Sequence, residues 1–204
     1  MNYVIAIAGP IGSGKTSLTN SLAKSLDQAT TLYFDDYERI TNNPAKELVE
    51  WLKNGADINQ FNVPGLADDL QKLKQGETVV NRASQATITP RKYIIFEMPM
   101  GREHSESAPF IDLLLWLEIP LDIAITRKLK EYSQGFLEKR HPDSHHECLV
   151  WLDNYFSNYQ SFIGDVLAIQ KQKIRPTADL ELNGRDALEK IVLQAADFIR
   201  SKLP

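Results

Sequence analysis

Cysteine is nearly absent from the sequence: it occurs once among 204 residues, as Cys148. A single cysteine cannot form a disulfide within the chain, which excludes the disulfide-stabilised scaffolds of small secreted proteins. This pattern favours a reducing compartment, and we expect the protein to be cytoplasmic.

Long apolar runs and an excess of positive charge are also missing. The apolar segment MNYVIAIAG is too short to span a bilayer and lacks the basic region of a signal peptide, so it predicts a first strand. Lysine and arginine number 23 against 27 aspartates and glutamates, which gives a net charge of −4. No broad positive field would draw nucleic acid or an anionic membrane, and any phosphate binding must be local.

The remaining composition is that of one folded α/β domain. Hydrophobic residues make up 43% of the chain and charged residues 25%. Short apolar runs alternate with helical patterns, which is typical of a parallel sheet built from strand–helix–strand units. The predicted strands are Tyr3–Ala8, Thr31–Phe34, Lys92–Phe96, Leu113–Ile119 and Ala178–Leu182. The predicted helices are Lys15–Leu26, Pro44–Asn54, Pro64–Gln75, Leu121–Tyr132, His146–Gln170 and Arg185–Lys202.

Two segments interrupt this regular pattern. Residues 40–90 form a long insert that ends in a hairpin-like stretch, Thr78–Thr89, and a substrate-binding subdomain could lie there. The polar segment Tyr132–His146 indicates a mobile loop, and we expect a lid over about residues 127–146. The aromatic stripe that follows, from Trp151 to Phe162, is interpreted as a buried helix face.

A glycine-rich loop joins the first strand to the first helix. It fits the phosphate-loop pattern G-x-x-x-x-G-K-[ST], in the strand–loop–helix context which that motif requires. Its residues are Gly9, Pro10, Ile11, Gly12, Ser13, Gly14, Lys15 and Thr16. The loop and the helix N-terminus predict binding of a nucleoside triphosphate, with Lys15 on the phosphates and the Thr16 hydroxyl on Mg²⁺.

Carboxylates follow two of the predicted strands, at the sheet edge where ligands of open α/β sheets bind. Asp35 and Asp36 come after the second strand, and Glu97 follows Phe96. Phosphoryl transfer to an alcohol needs one carboxylate to accept the hydroxyl proton and another near the metal. We assign Asp35 to the first role and Glu97 to the second, and leave Asp36 undecided between a ligand role and helix capping.

The sequence resembles the phosphoribulokinase/uridine kinase group of P-loop kinases over nearly its whole length. Phe34-Asp35-Asp36-Tyr37 is similar to the group's Q-D-[SD]-F segment, and Gln60–Pro64 with Leu70–Gly76 resembles N-F-D-H-P and the helix after it. Ile94–Glu97 matches an apolar strand that ends in glutamate, and Pro176–Gly184 is similar to the last strand. Asn62, Val79–Thr87, Met98 and Glu131 differ from the group's pattern, so the acceptor is left open.

The resemblance implies a five-stranded parallel sheet, a closing lid, and transfer of phosphate from ATP to a small-molecule hydroxyl with Mg²⁺ as cofactor. The expected catalytic residues are Lys15, Asp35, Glu97 and Arg127, and the expected metal site comprises Thr16, Asp35 and Glu97. The expected nucleotide-binding residues are Gly9, Pro10, Ile11, Gly12, Ser13, Gly14, Lys15, Thr16, Ser17 and Lys128. The expected substrate-binding residues are Asp35, Tyr37, Asn62 and Arg82.

Two other functions are compatible with a phosphate loop. A nucleotide-binding switch would use the loop without phosphorylating a metabolite, although the base-recognition motif N-K-x-D of GTPases does not occur in these 204 residues. A nucleoside monophosphate kinase would need an arginine-lined pocket for the acceptor phosphate. The expected partners are ATP and a small molecule, without nucleic acid or membrane, and the protein could be a monomer or a homo-oligomer.

Overall fold

The computed structural model describes residues 2–38, 44–60, 63–138 and 144–204. Its strands are β1 Tyr3–Ala8, β2 Ala29–Tyr33, β3 Val79–Val80, β4 Thr87–Ile88, β5 Tyr93–Glu97, β6 Ile111–Glu118 and β7 Leu180–Asn183. Its α-helices are α1 Lys15–Ser25, α2 Ala45–Lys53, α3 Leu66–Gln75, α4 Leu121–Glu138, α5 Ser144–Asn158, α6 Gly164–Lys173 and α7 Leu188–Lys202.

A five-stranded parallel sheet in the order β2-β5-β1-β6-β7 forms the centre of the fold, as predicted. The first strand lies in the middle because its residues from Val4 to Ala8 are apolar and completely buried, as a parallel strand covered on both faces requires. Val4 and Ala6 pack in a core with α3, whereas Ile5 and Ile7 pack in a second core with α1 and α7. The fold is therefore an α/β three-layer sandwich.

The insert between β2 and β5 contains two helices, α2 and α3, and a small hairpin. The hairpin is antiparallel, with Val79 opposite Ile88 and Val80 opposite Thr87, which confirms the predicted hairpin. Helix α3 packs its leucines into the core of the main sheet, so this part of the insert is fixed to the rest of the fold.

The polar segment Tyr132–His146 is helical where the structure describes it, so the prediction of a loop there is wrong for these residues. Helix α4 continues to Glu138 and α5 begins at Ser144. Tyr132 stacks on the ring of Trp151 with 3.9 Å between the centroids, which gives the end of α4 a packing partner on α5. That contact outweighs the roughly 1 kcal/mol helix penalty of Gly135.

The helix predicted over His146–Gln170 is interrupted by a π-helical segment, Tyr159–Ile163, between α5 and α6. The stripe on it is also less buried than expected: Phe156 is 48% exposed, whereas Tyr155 is 9% exposed. The reason is that α5 packs against α4 rather than against the sheet. Within the described residues, no helix is both long and apolar enough to cross a bilayer.

Candidate active site

The phosphate loop lies between the carboxyl end of β1 and the first turn of α1. Gly14 precedes the helix in the left-handed conformation, with φ 98°, a geometry that glycine adopts without strain. The backbone N–H of Ser13 and the Lys15 ammonium both donate to the carbonyl of Pro10, at 3.1 Å. These bonds fold the loop around the positive end of α1, where backbone N–H groups favour an anion.

Ser13 provides a direct sign that the loop is built for a ligand. Its side chain is 2% exposed and lines the main cleft, and its hydroxyl has no hydrogen-bond partner within the described residues. A buried hydroxyl without a partner is costly, and a phosphate oxygen would satisfy it.

The two predicted carboxylates lie at the same edge of the sheet as the loop. Asp35 belongs to a short 3₁₀ turn directly after β2, and Glu97 is the last residue of β5. Strands β2 and β5 are neighbours, with Tyr33 in register with Glu97, so the sheet itself brings both acidic residues to one place. The Thr16 hydroxyl donates a hydrogen bond to Glu97.

The charges of Lys15, Asp35 and Glu97 act on one another. Burial lowers the pKa of Lys15, and the nearby Glu97 and Asp35 carboxylates oppose that shift. Burial also raises the pKa of Glu97 and of Asp35, while the Lys15 ammonium lowers both. The negative charges of Glu38 and Asp36 raise the pKa of Asp35 further. The site thus holds one cation and two carboxylates in a partly dehydrated region, where their interactions are stronger than in water.

The basic residues of α4 lie on the other side of this region. Arg127 donates to the carbonyl of Gly184 at 3.0 Å and, at 3.5 Å, weakly to that of Ser13. Lys128 forms an ion pair with Glu131 at 3.2 Å and lies 4.6 Å from the centre of the Tyr132 ring. The Lys128 charge still acts on Lys15, Asp35 and Glu97. Arg127 is therefore held by main-chain carbonyls beside the loop. Lys128 is the residue of α4 whose charge shifts the pKa values of Lys15, Asp35 and Glu97.

A cleft of about 1230 Å³ runs from the phosphate loop to the insert. Most of the predicted site lines it, namely Gly9, Ile11, Gly12, Ser13, Gly14, Lys15, Thr16, Ser17, Asp35, Glu97, Arg127 and Lys128. Single ligands usually occupy about 300–1,000 Å³, so this cleft has room for a nucleotide and a second molecule. Its lining also includes Trp51, Ile58, Met100 and Phe162.

The predicted substrate residues Tyr37 and Arg82 are not among the residues that line this cleft. Tyr37 is completely buried and donates a hydrogen bond of 3.0 Å to Asp69. Arg82 pairs with the same carboxylate at 3.5 Å. In this conformation neither side chain contacts the site, because both are used to satisfy the buried Asp69. Asn62 lies outside the described residues, and Pro10 is buried behind the loop.

Sequence reasoning missed the apolar half of the cleft. Trp51 and Leu48 belong to the amphipathic pattern of α2, and Phe162 belongs to the aromatic stripe that was interpreted as core.

The donor set near Lys15 fits Mg²⁺ coordinated largely by water and phosphate oxygens. The Thr16 hydroxyl and the Glu97 and Asp35 carboxylates are oxygen ligands of the kind that this ion prefers. Within the described residues there is no group of three or more histidine, cysteine, aspartate or glutamate side chains that could hold a metal ion alone. A cation here would therefore depend on a bound phosphate for part of its coordination.

Comparison with known proteins agrees with this fold. Residues 4–127 match the family model described as 50S ribosome-binding GTPase. A curated uridine kinase from Macrococcus caseolyticus (strain JCSC5402) is 28% identical over 137 residues, which cover 62% of this chain and 66% of that protein. A uridine kinase from Staphylococcus aureus (strain JH9) is 28% identical over 142 residues, with the same coverage. The chain thus matches slightly less than two thirds of the length of these relatives.

Two solved structures share the fold. A shikimate kinase from Acinetobacter baumannii, in complex with shikimate, has a TM-score of 0.55 and 16% identity, and the match covers 100% of this chain and 97% of that one. A possible uridine kinase from Bacillus stearothermophilus has a TM-score of 0.55 and 19% identity, with 88% of each chain covered.

The sheet, the phosphate loop and the carboxylates at its edge define a P-loop nucleotide-binding domain. The chain belongs to the P-loop family whose model, described as 50S ribosome-binding GTPase, matches more than half of it. Within that class its relatives and neighbours are those of a P-loop kinase of the uridine kinase type, which confirms the predicted resemblance.

Proposed function

We propose that the protein transfers the γ-phosphoryl group of ATP to a hydroxyl group of a small molecule, with Mg²⁺ as cofactor. The observation that carries this proposal is the arrangement of Lys15, Asp35 and Glu97 in one cleft that has room for a nucleotide and a second molecule. The names of the relatives, which are uridine kinases, support the same class of reaction.

Each residue has a role that follows from its position. Lys15 and the N–H groups of the loop hold the phosphates and neutralise their charge. Thr16 and Glu97 would hold Mg²⁺, which would supply positive charge to stabilise the negative charge on the phosphates. Lys128 adds a further positive charge on the side of α4, and Arg127 positions that helix by binding the loop and Gly184.

Asp35 is the proposed general base. Its carboxylate accepts the proton of the acceptor hydroxyl while the hydroxyl oxygen forms its bond to the γ-phosphorus. The bond from that phosphorus to the β–γ bridging oxygen breaks, and ADP leaves with the electron pair. A raised pKa suits this role, because a carboxylate with a higher pKa is a stronger base.

The test is acceptor-dependent release of ADP, measured for the wild-type protein and for Asp35→Asn. We expect the variant to keep most of its affinity for Mg·ATP and to lose at least about 10²-fold in kcat. Asp36→Asn is the matched control, because the neighbouring Asp36 accepts a hydrogen bond from Asn81 at 2.6 Å and does not line the cleft. Equal loss in both variants, or full activity in Asp35→Asn, would remove Asp35 as the base.

A second candidate is a nucleotide-hydrolysing switch, which the description of the matching family as a GTPase favours. It predicts slow hydrolysis that no small alcohol accelerates, and tighter binding of GTP than of ATP. Titration with both nucleotides separates the two functions, since the kinase is expected to use ATP and to be accelerated by its acceptor.

A further inference from the structure

The part of the cleft lining that comes from α2, the turn after it, the loop after β5 and the helical segments after α5 has a distinct chemical character. We call it the acceptor half, and it comprises Ala45, Leu48, Trp51, Ile58, Met100, Phe162, Ile163 and Val166. All these side chains are apolar or aromatic. They come from α2, from the loop after β5 and from the helical segments after α5, so the apolar surface is assembled from separate parts of the chain.

Trp51 forms a fixed wall of the acceptor half. Its indole N–H donates to the carbonyl of Asp57 at 2.8 Å, which occupies its polar atom. The ring belongs to a cluster with Ile58, against which Met100 and Val166 pack. The wall is therefore preformed, and Met100 adds a side chain that adapts to the shape of a ligand.

The π-helical segment Tyr159–Ile163 supplies a further apolar part of the lining. It contacts α2 and brings both Phe162 and Ile163 to the cleft, where each is only partly buried. A π-helical turn is less stable than an α-helical one and is found mostly where function requires it. The irregular turn here places apolar side chains in the cleft instead of in the core.

Among the residues that the structure describes, none of the charged residues that line the cleft belongs to the acceptor half. The charged lining residues are Lys15, Asp35, Glu97, Arg127, Lys128, Glu131 and Asp186, from the phosphate loop, the strand ends, α4 and the segment after β7. Two polar residues that are not part of the acceptor half, Asn158 and Gln170, also line the cleft. The Gln170 amide donates to the carbonyl of Pro99. A sugar or a charged acceptor would lose water in the acceptor half without gaining enough partners.

We infer that the acceptor is an uncharged alcohol with an apolar body, aromatic or branched aliphatic, whose hydroxyl lies toward Asp35. This inference deepens the proposed function and rests on it. The apolar body would lie against the side chains of the acceptor half, and its burial would drive binding.

The first experiment is a binding measurement, which does not depend on turnover. The protein is loaded with Mg²⁺ and a non-hydrolysable ATP analogue and titrated calorimetrically with 4-phenylbutan-1-ol, D-ribose and uridine. We expect the phenylalkanol to bind at least about tenfold more tightly than either polar compound, with a negative heat-capacity change. Tighter binding of ribose or uridine would overturn the inference.

Variants locate the binding. Leu48→Asn places an amide in the acceptor half and is expected to weaken phenylbutanol binding at least about tenfold, with unchanged affinity for the ATP analogue. Leu149→Asn is the matched control, because Leu149 is 65% exposed on α5 and does not line the cleft. Val166→Thr, which preserves the shape of the side chain, is the second variant should Leu48→Asn fold poorly, and is expected to weaken binding at least about threefold. Equal affinity in the wild type and both acceptor-half variants would overturn the inference.

An ADP-release assay with the same three compounds distinguishes a failure of the proposed kinase function from a failure of the inferred apolar acceptor. Phenylbutanol that binds as expected but does not accelerate ADP release would support the apolar ligand and overturn the kinase function. Acceleration by uridine or ribose, lost in Asp35→Asn, would support the kinase and overturn the apolar acceptor.

Discussion

Gly12 of the phosphate loop packs against the carbonyl oxygen of Ala124 on α4, so closely that a Cβ on Gly12 would lie 2.0 Å from that oxygen. Gly12 also has φ 76°, in the left-handed region that other residues avoid. The loop and α4 therefore fit together only with glycine at this position.

Gly12→Ala should move the loop and α4 apart and weaken ATP binding at least about tenfold, because the cradle of N–H groups loses its shape. Calorimetric titration with Mg²⁺ and an ATP analogue measures the loss. Gly135→Ala on α4 is the control, since a Cβ there meets nothing within 4 Å. It should stabilise the fold by about 0.5–1 kcal/mol and leave ATP binding unchanged. Unchanged ATP binding in Gly12→Ala would contradict the close packing.

Lys15→Met should lower kcat/KM for ATP by about 10²–10³, because it removes the positive charge closest to the phosphates. Steady-state kinetics at saturating acceptor provide the measurement. Lys24→Met, in the last turn of the same helix, is the matched control and should retain wild-type kinetics. If Lys15→Met weakened only the binding of the acceptor, the placement of Lys15 at the phosphates of ATP would be contradicted.

The activity should fall on acidification at a higher pH than an ordinary aspartate would dictate. The pKa of Asp35 is raised by burial and by the nearby Glu38 and Asp36. As the pH falls, the Asp35 carboxylate is therefore protonated, and lost as a base, at a higher pH than an ordinary aspartate. A pH profile of kcat/KM for the acceptor measures this limb. Glu38→Gln removes the larger of the two repulsive charges and should move the limb to lower pH. A limb that stays in place in Glu38→Gln would exclude Asp35 as the titrating group.

The same electrostatics predict that Asp35→Asn stabilises the apo protein. A carboxyl group whose pKa is raised by folding binds its proton more tightly in the folded state, so stability falls as pH rises from the ordinary to the raised pKa. At neutral pH the whole penalty is present. Because Asp35 is substantially exposed, the gain on its removal should not exceed about 1 kcal/mol. Urea denaturation at neutral pH and below the ordinary pKa tests this, with the gain expected only at neutral pH.

Tyr37→Phe distinguishes a structural role from the predicted substrate contact. Loss of the hydroxyl removes a buried hydrogen bond to Asp69 and should destabilise the fold by about 1–3 kcal/mol. KM for the acceptor should not change, because Tyr37 is not exposed to the cleft. Thermal unfolding of Tyr37→Phe measures the change in stability, and steady-state kinetics measure KM for the acceptor. A raised KM with unchanged stability would support the predicted substrate contact instead.

The strands and the phosphate side of the site were predictable from the sequence because their signals are local. An apolar run, a glycine loop and a carboxylate at a strand end each occupy a few consecutive residues. The neighbouring β2 and β5 then bring Asp35 and Glu97 together by a rule of parallel sheets that needs no knowledge of side-chain packing.

The acceptor side was not predictable in the same way, because it depends on contacts between distant segments. Arg82 and Tyr37 could be recognised as structural only once Asp69 was seen between them. The continuation of α4 past Tyr132 depends on a ring of α5, Trp151. The π-helical turn that brings Phe162 to the cleft has no local sequence signature.

The pairing of β2 with β5 has a consequence for how such a protein can change. Main-chain hydrogen bonds between these strands fix the spacing at which Asp35 and Glu97 leave the sheet. The residues that would select the acceptor are carried by α2 and the π-helical segment, outside the sheet. New specificities can therefore arise, by divergence or by engineering, through exchange of a few apolar side chains while the machinery for proton and phosphoryl transfer stays as it is.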